Sequence, residues 1–298
     1  MKKIITAFVA LIYLCISYKS FAQKDINKKV VTADGDTILL GHCKFSALQE
    51  EPFSKWFLYN ADTTLIDTAS ANRLKKALKH TKLEIFMGTW CGDSRREVPQ
   101  LYKLLKYIHY PEKNIRLILV NNSTEYYKQS PQHEESGKNI FRVPCVLVYK
   151  KDSVIGRVIE FPKESWAKNL YKIAKGEEYT PNYFAGFDFM NLLNNKKASE
   201  LQKDTTNLIS SLKQTLSGRS ELNAVGYVYY AMGDTAKTMF TFLMNYAVYP
   251  NEPRVINSLA FIYNKRGDHD KAKELYNKTL TIDPENKTAK EGLEMLSQ

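Results

Sequence analysis

The chain has 298 residues, 44% of them hydrophobic and 25% charged, with a formal net charge of +11. Its lysines are scattered rather than gathered into a basic and aromatic stripe, which argues against nucleic-acid binding. Five histidines and four cysteines lie far apart, with no CxxC, HExxH or carboxylate cluster, so no metal site is expected and no cofactor is implied.

Met1 to Ala22 opens with Lys2 and Lys3, runs apolar from Ile4 to Ile16 and ends in Ser20-Phe21-Ala22. That pattern reads as a secretory signal cleaved before Gln23, because the apolar run is too short to span a bilayer. A periplasmic or secreted location follows. Cys15 does not read as a lipidation site, since Leu14 before it is not small. No later stretch is apolar enough for a membrane helix, so no stable membrane insertion is expected. Cleavage removes Lys2, Lys3 and Lys19, lowering the charge by three to +8. It leaves Cys43, Cys91 and Cys145, an odd and widely spaced set that makes no disulfide framework.

Val30 to His42 contains two strand-like runs about the turn Asp34-Gly35-Asp36. Phe45 to Tyr59 carries Leu48, Phe53, Trp56 and Phe57 at roughly helical spacing, and Leu74, Ala77 and Leu78 mark a helix over Ala71 to Lys79. Trp56 and Phe57 read as core, and Cys43 as a buried spectator. Leu83, Ile85, Phe86 and Met87 form the apolar run of a buried strand. Gly88 breaks it, and Val98, Leu101, Leu104, Leu105 and Ile108 follow at helical spacing. The join falls at Trp90-Cys91. A cysteine there has unpaired backbone N–H groups and the positive end of the helix dipole beside its sulfur, and both favour thiolate. Ile115 to Val120 reads as a fully buried strand and Glu125 to Asn139 as a polar surface segment. Val146 to Tyr149 and Val154 to Ile159 form a hairpin about Lys150 to Ser153, and a helix over Lys163 to Lys175 turns Trp166, Leu170, Ile173 and Ala174 to the sheet.

At these residues the chain resembles the thioredoxin superfamily, whose motif is Trp-Cys-Gly-Pro-Cys at the end of a central strand, with a helix proline eight residues after the first cysteine. Trp90, Cys91, Gly92 and Pro99 match it. Asp93 replaces the motif proline, Ser94 replaces the second cysteine, and Ile85 stands where the family keeps a buried aspartate. Val143-Pro144-Cys145 fits the family's cis-proline corner. The resemblance implies an α/β thioredoxin-like domain over residues 23–175.

Residues 176–186 turn to Tyr, Pro, Gly and Asn and read as a linker. Residues 187–298 carry no strand pattern and read as an all-α domain. A shift of thirty-four places aligns Val225 with Leu259, Tyr229 with Tyr263, Gly233-Asp234 with Gly267-Asp268, Phe242 with Tyr276 and Pro250 with Pro284. The period and residue set resemble the tetratricopeptide repeat, in which Gly226, Ala260 and Ala272 would let paired helices touch. Leu192, Leu193, Leu201, Leu208, Ile209, Leu212 and Leu216 suggest two further helices before the repeats, and Thr288 to Leu296 a capping helix. The fold class expected is thus a thioredoxin-like domain followed by a helical-repeat domain.

Two functions compete. In the first, Cys91 exchanges or isomerises disulfides of proteins or small thiols as a lone thiol, with Trp90, Ser94 and Pro144 shaping its site. Ser94 would donate a hydrogen bond to the thiolate, Arg95 and Arg96 would favour it, and Asp93 and Glu97 would oppose it. Release of the mixed disulfide would fall to an outside thiol or to Cys145. In the second, the sheet domain is redox-idle and both domains bind protein partners. The repeat resemblance implies peptide binding by Asn223, Tyr227, Tyr230, Asn257, Phe261 and Asn264, although Tyr227 and Phe261 are equally suited to packing on flanking helices.

Overall fold

The computed structural model describes residues 26–297, so the expected signal, Met1 to Ala22, lies outside the described residues. Six strands, β1 (Lys28–Val31), β2 (Thr37–Cys43), β3 (Thr81–Met87), β4 (Ile115–Leu119), β5 (Cys145–Lys150) and β6 (Ser153–Ile159), form a mixed sheet in the order β1-β2-β4-β3-β5-β6. β3 runs parallel to β4 and antiparallel to β5, with Ile85 opposite Leu117 on one side and Val146 on the other. A strand paired at both edges and covered on both faces has to be apolar nearly throughout. Leu83, Ile85, Phe86 and Met87 are accordingly all buried.

One face is covered by α1 (Phe45–Leu48), α2 (Ser54–Asp62), α3 (Thr68–Ala77), α4 (Gly92–Tyr107) and α5 (Trp166–Lys175). Ile85, Met87, Leu119 and Val146 share a core there with Phe57, Leu74, Leu101 and Leu170. The single helical run expected over Phe45 to Tyr59 is divided, because Pro52 between α1 and α2 has no N–H to continue a helix. α3 starts earlier than expected, where the Asp67 side chain accepts from the Ser70 N–H at 3.1 Å. α5 starts later than expected, where the Ser165 hydroxyl accepts from the Lys168 N–H at 3.2 Å. Pro99 leaves the Arg95 carbonyl without its intrahelical donor, and Asn60 Nδ2 takes up that carbonyl at 3.2 Å.

The other face has no helix from this region, since no α-helix lies between β4 and β5. Two things close it. Within residues 121–143 the chain turns inward at two places: Lys128, Gln129 and Ser130 are buried, as are Ile140, Phe141 and Val143, while most of Glu125 to Asn139 stays at the surface as expected. The helices that follow then pack across it: α6 (Phe184–Asn195), α7 (Ala198–Leu201), α8 (Thr205–Thr215), α9 (Ser220–Ala231) and α10 (Thr235–Val248). Phe86, Ile118, Cys145 and Leu147 of the sheet share one core with Phe189, Met190, Leu222, Val225, Tyr229 and Phe240. The α/β region and the all-helical region are therefore joined by a common core rather than by a linker alone. Gly186 sits against both parts, and a Cβ on it would fall 2.9 Å from Phe141 and from Glu221.

α11 (Pro253–Lys265) and α12 (His269–Ile282) repeat the pairing of α9 and α10, and α13 (Lys287–Met295) covers the end. The two turns are built alike. Gly233 N–H donates to Tyr230 O at 2.9 Å and Asp234 N–H to Tyr229 O at 3.0 Å; thirty-four residues on, Gly267 and Asp268 bond to Asn264 and Tyr263 at the same distances. Both glycines have positive φ, 74° and 80°, which a residue with a Cβ adopts at a cost. Gly226 lets α9 approach α10, for a Cβ there would lie 2.7 Å from the Phe242 ring. Replacing Gly226 with Leu should therefore lower stability by about 1–3 kcal/mol through overpacking, measured by urea unfolding. An unchanged midpoint would contradict this packing.

Candidate functional site

β3 delivers the chain to the N-terminus of α4, and Cys91 is the residue that caps it, with φ −89° and ψ 124°. Its N–H bonds to Gly88 O at 3.0 Å and its carbonyl accepts from the Arg95 N–H at 2.9 Å, so the backbone at the thiol is fixed from both sides. Cys91 Sγ donates to Val143 O at 3.2 Å. Pro144 follows that carbonyl, and the Val143-Pro144 bond is cis. Three of the expected site residues, Trp90, Cys91 and Pro144, thus meet at one corner between β3, α4 and β5.

Ser94 is fully buried in the first turn of α4. Its Oγ accepts the Gly88 N–H at 3.3 Å, which gives the hydroxyl a place in the strand-to-helix turn. The expected bond from Ser94 to the Cys91 sulfur is replaced by the Val143 carbonyl contact. Arg96 pairs with both Asp93 at 2.7 Å and Glu97 at 2.8 Å, so these three charges are tied to one another. Arg95 is turned away, with Nε on Thr89 O and its guanidinium 5.8 Å from the Trp56 ring.

Trp90 donates Nε1–H to Val120 O at 2.9 Å, and its indole lies so close over Gly88 that a Cβ there would overlap it. The other side of the indole meets a residue that the sequence does not announce. Lys128 Nζ stands 4.1 Å from the Trp90 ring centroid and 4.8 Å from that of Tyr127, with the residue only 6% exposed. Burial pushes its ammonium down to about 8, against the opposing influence of Cys91. Behind it Arg142 forms an ion pair with Glu160 at 2.6 Å, donates to Ser220 Oγ of α9 at 2.9 Å, and lies 3.9 Å from the Tyr183 ring. Tyr127 also meets Tyr227 of α9, ring centroids 6.0 Å apart. The helical region thus forms one wall of the cysteine's surroundings.

Cys145 does not fit the role of an internal resolving thiol. It is 1% exposed in the shared core, and burial pushes its thiol up to about 11, so it lacks both access and thiolate character. Cys43 is buried on β2 with its thiol pushed up to about 12, in keeping with a spectator. The acid missing at Ile85 has a neighbour in Glu84, which strand alternation puts on the opposite face of β3. There Arg116 at 2.8 Å, Lys138 at 2.8 Å and Tyr149 Oη at 2.9 Å hold it in a network of its own.

The six residues expected to bind peptide divide into two groups. Asn223 is buried, giving Nδ2 to Ser258 Oγ at 2.8 Å and accepting from Asn245 at 2.9 Å; Asn257 is buried and donates to Asn286 at 2.8 Å. Through these bonds both amides tie helices together, while Asn257 Oδ1 is buried without a hydrogen-bond partner among the described residues. Tyr227 is packed among Phe242, Phe261 and Tyr127. Tyr230 and Phe261 are partly exposed, with rings 5.6 Å apart, and Asn264 Oδ1 meets His269 Nδ1 at 3.0 Å.

No family model matches the chain. The chain is similar to the uncharacterized protein ycf37 of Pyropia yezoensis, 36% identical over 67 residues, which is 22% of this chain and 38% of that protein. The chain thus spans well under half the length of that relative.

Lys128 generates a stability test. Below about pH 8 folded and unfolded chains both carry its proton, and the fold bears the full cost of the buried charge. Between pH 8 and the free value of 10.5 the unfolded chain holds the proton and the folded chain does not, so stability rises with pH. Lys128→Met should raise stability at pH 7 by about 1–3 kcal/mol, net of the lost ring contacts, and flatten that rise. Urea midpoints at pH 7 and pH 10 measure it; a destabilised variant with the same pH dependence would contradict the assignment.

Proposed function

We propose that this is an exported monothiol protein of thioredoxin-like fold, carrying tetratricopeptide-like repeats, whose Cys91 performs thiol–disulfide exchange. The observation that carries the reading is Cys91 itself: a half-buried thiol at a helix N-cap, its sulfur 3.2 Å from the carbonyl that precedes Pro144. Such a position presents sulfur to an incoming disulfide beside free helix N–H groups. The sheet order and the matching turns at Gly233 and Gly267 support the two fold assignments.

The chemistry is one exchange step. The Cys91 thiolate attacks one sulfur of a disulfide, the new Cys91–sulfur bond forms as the old S–S bond breaks, and the other half leaves as a thiolate that takes a proton from water. With Ser94 at the resolving position and Cys145 sealed, the mixed disulfide persists until an external thiol attacks it. The helical region supplies one wall of the site, and Tyr230 and Phe261 give it an aromatic patch for a protein partner. A redox-idle binding module is the competing reading, favoured by the Ser94–Gly88 bond and by the engagement of Cys91 Sγ with Val143 O.

Mass spectrometry after treatment with the neutral 2-hydroxyethyl disulfide separates the two. The expected result is a stable adduct on Cys91 in the parent and an internal bridge in Ser94→Cys, with a native chain mass that begins at Gln23. Absence of reaction in both proteins would leave the binding module. A Cys91–Cys145 bridge in the parent would overturn the monothiol assignment.

A further inference from the structure

The end of the sheet opposite Cys91 gathers lysines that lie far apart in the sequence. Strand register places them. Lys82 stands opposite Tyr149 and Thr81 opposite Lys150, so the first residues of β3 meet the β5–β6 turn that carries Lys150 and Lys151. Lys113 comes two residues before Ile115, the partner of Leu83, and Lys79 two residues before Thr81. Tyr110 Oη donates to Thr81 O at 2.7 Å, which brings the C-terminal end of α4 to the same pole. All five lysines are exposed, and among the described residues none of them forms an ion pair. Lysines in the last turns of α3, α4 and α5, such as Lys76, Lys106 and Lys175, answer the negative end of a helix dipole. Lys79, Lys82, Lys113, Lys150 and Lys151 belong to single-turn helices, a strand and a turn, and the dipole does not account for them. Of the acids close by in the chain, Glu84 is taken by Arg116 and Lys138, which leaves Glu112 and Asp152 against the five. The fold therefore tolerates self-repulsion at this pole.

A diffuse surplus of this kind suits an extended anionic surface rather than one bound anion. Lysine is a point charge on a flexible stem and lacks the planar fork with which arginine grips a single carboxylate or phosphate. The basic turn also adjoins exposed apolar side chains: Val154 is 41% and Ile155 38% exposed on β6, an edge strand of the sheet, directly after Lys150 to Ser153. Basic and aliphatic side chains side by side fit the boundary of a bilayer, where headgroups meet acyl chains. A nucleic acid would use the lysines but has nothing to offer Val154 and Ile155, which favours lipid. We propose that this pole docks reversibly on the anionic headgroups of a lipid bilayer, so that the Cys91 corner faces away from the membrane. The seven residues of β3 set the two ends about 20 Å apart. The contact is peripheral, since among the described residues no helix is long and apolar enough to cross a membrane. It is independent of thiol exchange, because it uses none of the residues around Cys91.

The test is flotation of the native protein with two kinds of vesicle, phosphatidylcholine alone and phosphatidylcholine with phosphatidylglycerol in equal parts. The wild-type chain should float with the mixed vesicles and not with the neutral ones. It should be released at about 1 M salt, where the screening length falls to about 3 Å. A chain carrying Lys79→Gln, Lys82→Gln, Lys113→Gln, Lys150→Gln and Lys151→Gln should bind the mixed vesicles about a hundredfold or more weakly, given about fivefold for each lysine at an anionic surface. The same substitution at five exposed lysines of the helical region, Lys196, Lys203, Lys213, Lys273 and Lys287, removes equal charge and should leave binding near the wild-type value. Equal binding to both kinds of vesicle would overturn the proposal, as would an equal loss in the two variants. Tighter binding to a DNA duplex than to mixed vesicles at the same phosphate concentration would also overturn it and put a soluble polyanion in place of the bilayer.

Discussion

A central sheet has two faces to keep from water, and in this chain the second face is closed by helices that come after the sheet. Phe86, Ile118, Cys145 and Leu147 share one buried cluster with Ile140, Phe141 and Val143 of the loop and with Phe189, Met190, Leu222 and Phe240 of the helices. Each such large side chain, fully buried, contributes about 1.5–3 kcal/mol, so this contact is among the largest stabilising terms in the molecule. Phe189 of α6 and Phe240 of α10 stack within this cluster, with an interplanar angle of 2°. The order of elements follows from that demand: with no α-helix between β4 and β5, residues 121–143 are free to fold inward and carry Lys128 beneath Trp90.

The same constraint gives the thiol its setting. Cys91 lies between β3 and α4 with its sulfur on Val143 O of the loop, and that loop is tied in turn to the β6 end by Arg142 on Glu160 and to α9 by Tyr127 on Tyr227 and Arg142 on Ser220. Most of those groups satisfy one another. Arg142 and Glu160 form an ion pair, Asp93 and Arg96 form another, and Ser94 closes a turn. Lys128 alone of them combines burial, a positive φ and no opposite charge, a local conflict of the kind that folds retain at sites of function.

How much of this was legible in the sequence depends on the range over which each feature is determined. The strand-to-helix join at Cys91 and the helix turns at Gly233 and Gly267 are set by residues within a few positions, and the apolar spacing and turn residues located them. The burial of Lys128 is set by what covers the far side of the sheet, and Tyr126-Tyr127-Lys128 in an aperiodic, polar stretch carries no sign of it. Asn223 and Asn257 illustrate the same limit: in the sequence an amide on a helix face looks the same whether a ligand or Asn245, Ser258 or Asn286 bonds it. Glu84 lies one residue and one sheet face from Ile85, and no local pattern in the sequence shows that Arg116, Lys138 and Tyr149 meet it there. Two amphipathic regions in succession also read as two domains, since no local pattern records that each covers the other.

Whether the two regions form one cooperative unit can be measured directly. All three tryptophans, Trp56, Trp90 and Trp166, precede residue 176, whereas much of the helix follows it. Urea unfolding is followed once by tryptophan fluorescence and once by far-ultraviolet circular dichroism. A core shared between sheet and helices predicts coincident transitions with one midpoint. A helical signal that is lost at a different urea concentration from the fluorescence change would contradict it, and with it the dependence of the Cys91 site on the helices that follow.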